Sequence, residues 1–61
     1  MATQIELIKQ YSKNLVNVIK AHGADSGYTT YAFFLLQAVK MDIPLKDIFD
    51  WAMIKSTELY T

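Results

Sequence analysis

The residues best suited to chemistry stand together in one short stretch, HGADSGYTTY, which places His22, Asp25, Ser26 and Tyr28 within seven positions. A histidine, a carboxylate and a serine are the parts of a nucleophilic triad. Such a triad needs a base held at hydrogen-bond distance by a third group and an oxyanion hole nearby. One tight turn rarely supplies that geometry. His22 also projects into the apolar arc of the helix before it, so it reads as a helix-end or core histidine. The expectation is therefore a protein that is not an enzyme. With a single histidine and no cysteine, no metal centre and no cofactor is expected.

A second chemistry is open to the same turn. Ser26, Tyr28 and Thr29 stand at the start of a helix, where free N–H groups and the dipole favour anions. Tyr28 and Tyr31 could stack on a base. Lys9 and Lys13, on an edge of the preceding helix, could meet a phosphate. These residues define a candidate site for a small anionic ligand or nucleotide held at a subunit seam. Capping turns have the same composition without binding anything.

These groups must be positioned by elements that only three breakers divide: Gly23, Gly27 and Pro44. Helical periodicity over about 4–22, 28–41 and 44–60 predicts an all-α fold, a single helical domain spanning 1–61 with three helices and short turns. Thr3 and Glu6 make a T-x-x-E capping box that opens the first helix, and Gly23 closes it. Asp25 or Ser26 is the expected cap of the second, and Asp42 or Ile43 that of the third, with Pro44 in its first turn.

The first helix is amphipathic, with Ile5, Leu7, Ile8, Tyr11, Leu15, Val16, Val18 and Ile19 in an arc wider than one packing surface requires. The second is apolar around about two-thirds of its circumference, the mark of a central helix flanked by the other two. Phe33 points into the middle of its narrow polar sector of Thr29, Thr30, Gln37 and Lys40. On the third, Leu45, Ile48, Phe49, Ala52, Met53, Leu59 and Tyr60 form the main stripe. Trp51 and Ile54 fall on the opposite side, flanked by Asp47, Asp50 and Glu58, with no evident partner inside the chain.

Size and composition turn that mismatch into an expectation. The chain has 61 residues, is 52% hydrophobic and carries no net charge. Below about 70–80 residues one core rarely supplies more than 3–5 kcal/mol. Without cysteines, disulfides cannot add to it. Self-association is the remaining remedy, so a homodimer or higher oligomer is expected, with the second helix near its centre. The lysine edge of the first helix (Lys9, Lys13, Lys20) and the acidic edge of the third (Asp47, Asp50, Glu58) would suit neighbouring protomers.

The function classes narrow accordingly. The expected reading is a small non-enzymatic regulatory protein acting through helical protein–protein contacts, such as an inhibitor of a partner protein. Its contact face would be Trp51, Ile54 and Phe33, with Asp47 and Glu58 setting orientation; tryptophan is enriched among interface anchors. The anionic-ligand site above is the alternative. A third class is a compact helix-turn-helix DNA-binding regulator, entered through Met41-Asp42-Ile43-Pro44. Its would-be recognition helix lacks Arg, Asn and Gln, and the chain has no Arg at all, which disfavours nucleic acid. The longest apolar run, Tyr31 to Leu36, is far short of the roughly 20 residues of a membrane span. MATQIELIKQ lacks the basic and apolar regions of a signal peptide, so the expected location is cytoplasmic.

Overall fold

Each helix begins and ends where local chemistry dictates. The structure, a computed structural model, describes residues 3–59; Tyr60 lies outside them. Helix α1 spans Gln4–His22, α2 Gly27–Lys40 and α3 Leu45–Leu59. Thr3 caps α1, its hydroxyl oxygen accepting from the Glu6 N–H at 3.2 Å. Gly23 ends it at φ 90°, a conformation that suits glycine, with its N–H donating to the Ile19 carbonyl at 2.8 Å. Ser26 caps α2 by accepting from the Tyr28 N–H at 3.1 Å. Between them the Thr29 hydroxyl donates to the Gly23 carbonyl at 2.6 Å and locks the turn.

The α2–α3 joint differs from expectation. Asp42, expected as a candidate cap for α3, instead closes α2. It adopts φ 65°, in the left-handed region, and donates its N–H to the Val39 carbonyl while Ile43 donates to that of Ala38, both at 3.1 Å. This pair of bonds is a Schellman motif, with Asp42 in the position glycine usually fills. Helix α2 therefore stops at Lys40 rather than 41, and α3 begins at Leu45, just after Pro44.

α1 and α3 each pack on α2 and, among the described residues, do not pack on each other. The buried side chains are Thr29, Ala32, Leu35, Leu36, Ala38 and Val39 of α2, with Ile48 and Ala52 of α3. Leu35, Ala38, Val39, Ile48 and Ala52 form one cluster, against which Leu7, Ile8 and Tyr11 of α1 lie half-buried. No residue of α1 is fully buried. The chain is a plate of 33 × 24 × 13 Å, three helices broad and little more than one deep.

Two side-chain expectations change with this packing. Thr29, read as part of α2's polar sector, is buried because its hydroxyl is satisfied within the turn. His22, read as a helix-end or core histidine, is a helix-end one, exposed on the last turn of α1. On α3 the buried line is Ile48 and Ala52, flanked by half-buried Trp51. Leu45, Phe49 and Met53, expected in the main stripe, are each half exposed on the other flank. Small side chains explain the rotation: Ala38 and Ala52 are both fully enclosed, which lets α2 and α3 approach closely and leaves the bulky residues aside.

Candidate functional site

The His22-to-Tyr28 turn does not assemble a catalytic group. His22 stacks on Tyr28, ring centroids 4.4 Å apart, and both are exposed. Of the side-chain oxygens that would serve a ligand, Ser26 Oγ accepts from the Tyr28 N–H and the buried Thr29 hydroxyl donates its proton to the Gly23 carbonyl. Lys9 and Lys13 stand on the exposed side of α1. At 1.5 Å per residue they lie roughly 20 and 14 Å along the axis from His22, so they do not converge on this turn. No group of three or more His, Asp or Glu side chains with metal-binding proximity occurs among the described residues.

The aromatic residues are brought together. Phe34 meets Phe33 edge-on at 5.5 Å and Trp51 edge-on at 6.0 Å, so Phe33 of α2 and Trp51 of α3 are joined through a ring between them. Trp51 thus has a partner inside the chain, where the sequence suggested none. The Lys55 ammonium lies 5.9 Å from the Trp51 ring centre and 3.7 Å from a Glu58 carboxylate oxygen. Ile54 stays 58% exposed and Phe33 44%. Asp47 and Glu58 project from the Trp51 side of α3, both exposed.

Beside this ladder runs an apolar groove of about 400 Å³, lined by Leu15, Ile19, Thr29, Thr30, Phe33, Phe34, Ala24 and Leu59. It is open to solvent because α1 and α3 leave α2 uncovered between them. Leu15, Ile19, Phe34 and Leu59 were not singled out in the sequence as contact residues. The signal for the first two was present, since the apolar arc of α1 exceeds what one neighbour covers. A smaller hollow of about 280 Å³ at the far end is lined by Gln4, Leu7, Val39 and Leu45 among others. There the Gln4 side-chain amide donates to the Val39 carbonyl at 3.3 Å.

The two hollows show which helix ends lie together. Gln4 and Leu7 share one with Leu45, and Leu15 and Ile19 share the other with Leu59, so α1 and α3 run in the same direction on either side of α2. Charge is divided between them: α1 carries three lysines and one glutamate, α3 three acids and two lysines. The groove offers apolar side chains and few polar groups. The chain matches no protein-family model, no curated protein and no solved structure. No described helix is long and apolar enough to cross a membrane.

Proposed function

We propose that this chain is a small non-enzymatic regulatory protein of the cytoplasm. It acts through helical contacts with a protein partner, which it blocks or restrains, and it assembles with copies of itself. One observation carries this reading. Eleven large apolar side chains are exposed among the described residues, and they include Phe33, Ile19 and Leu59 around a single groove and Ile54 beside the acids of α3. An exposed apolar patch rimmed by polar groups marks an interaction surface.

Trp51 anchors the α3 side of this face through Phe34, and Ile54 is its accessible apolar tip. Asp47 and Glu58 beside them set the orientation of the chain that docks there, whether the partner or a second copy. Because Trp51 also packs inside the chain, its truncation would mix folding with binding, and Ile54 is the cleaner probe. Affinity capture from the native host with wild type beside Ile54→Arg tests the reading. A specific protein retained by wild type and lost with Ile54→Arg, at unchanged helicity, is the expected result. Equal retention by both would remove Ile54 and its acidic border from the contact face.

A further inference from the structure

We infer that the groove face of this chain is covered by the same face of a second copy, with α1 of each protomer lying over α3 of the other. The inference deepens the proposed reading by assigning the occupant of the groove, and it leaves Ile54, at the rim, to the other protein.

Three observations support it. The first is composition of the face. By projection at about 100° per residue, the apolar line of α1 continues outward from groove-lining Ile19 through Val16, and Lys9 and Lys20 follow at its border. On α3 the face runs from Trp51 to Glu58 and Asp47. Apolar residues fill most of the centre, beside Gln37 and Lys40 of α2; Lys9 and Lys20 form one border, and Asp47 and Glu58, with Lys55 against Trp51 and Glu58, form the other. All of Val16, Lys9, Lys20, Asp47 and Glu58 are exposed.

The second is register. α1 and α3 run in the same direction, with Leu7 near the height of Leu45 and Ile19 near that of Leu59. A two-fold axis parallel to the helices, between two facing plates, lays α2 on α2 and exchanges the two outer helices. Lys9 then comes to the height of Asp47 and Asp50, and Lys20 to that of Glu58, twice over. A two-fold axis perpendicular to the helices would set the α1 lysines over one another, whereas the parallel axis brings only Lys40 of α2 towards its own copy, so the border charges favour the first arrangement.

The third is area. A 33 × 24 Å face outlines at most roughly 800 Å², comparable with the accessible surface that each partner buries in a standard stable interface. The plate is broad enough for a dimer without any further element.

Sedimentation equilibrium from micromolar to near-millimolar protein, with circular dichroism on every variant, tests the assignment. Wild type is expected to double the 7.0 kDa mass of one chain. Phe33→Asp is expected to weaken association at least about tenfold. Val16→Asp, outside the groove on α1, is expected to do the same, and it decides the point if Phe33→Asp loses helicity. Lys9→Glu with Lys20→Glu is expected to weaken the dimer, and adding Asp47→Lys with Glu58→Lys to restore it. A wild-type monomer throughout overturns the inference and leaves the groove to a different protein. A dimer indifferent to both apolar variants overturns it as well. Failure of the four-charge exchange to restore association overturns the α1-over-α3 arrangement. None of these outcomes is the Ile54→Arg capture result, so the partner-binding part of the proposed reading stands or falls separately, whereas a wild-type monomer also removes its self-assembly.

Discussion

Asp42 holds a backbone conformation that costs most side chains about 1–2 kcal/mol, and aspartate somewhat less because its short polar group tolerates it. Its role is to end α2 and let Ile43 pack against the core, where Ile43 is half-buried. Nothing in that role requires a carboxylate. Asp42→Gly is therefore expected to stabilise the fold by about 0.5–1 kcal/mol, a gain of a few degrees in Tm for a domain this small. Thermal unfolding followed by circular dichroism reads it; an unchanged or lower Tm would mean that the Asp42 side chain itself does something for the turn. The other caps were legible in the sequence because each rests on one residue type at one offset. Thr3, Gly23 and Ser26 all act where their chemistry predicts. Asp42 was misassigned because the same residue type favours helix starts and tolerates left-handed helix ends, and only the Val39 and Ala38 carbonyls distinguish them.

At the scale of the helices, periodicity identified α2 as central because its apolar residues leave no second choice of face. α3 was harder. Its large apolar residues, Leu45, Phe49, Trp51, Met53 and Ile54, occupy more than one side, so hydrophobicity alone does not select the buried line. Close approach to Ala38 does, and it selects Ile48 and Ala52. The two flanks of α3 should then differ sharply on truncation. Ile48→Ala is expected to cost about 2–4 kcal/mol, as for a fully enclosed aliphatic side chain. Phe49→Ala, at a half-exposed position, is expected to cost under about 1 kcal/mol in the isolated chain. Urea unfolding of both variants checks the ranking. A Phe49→Ala penalty equal to that of Ile48→Ala would place Phe49 in a contact made by the working assembly. The candidate contact face was legible only in part: Phe33 and Ile54 stand out of phase in the sequence, whereas the groove exists only because α1 and α3 settle apart on either side of α2.

The whole molecule is more open than its length requires. Its accessible surface is 4436 Å², against roughly 4,000 Å² for a typical folded chain of this mass. Its radius of gyration is 11.3 Å, against roughly 10.5 Å expected for this length. If copies cover one another, folding and assembly are linked, and Tm is expected to rise with protein concentration. Calorimetry over a hundredfold concentration range would show it, and a constant Tm would separate stability from association.

A plate this thin has almost no interior to protect. Only eight of the described positions, Thr29, Ala32, Leu35, Leu36, Ala38, Val39, Ile48 and Ala52, are closed off from solvent by the chain itself. Drift at the exposed positions outside the helix caps is therefore nearly free as far as folding is concerned. Any of them that resists replacement during selection, Phe33 or Ile54 foremost, would be held in place by what the molecule touches rather than by what it is.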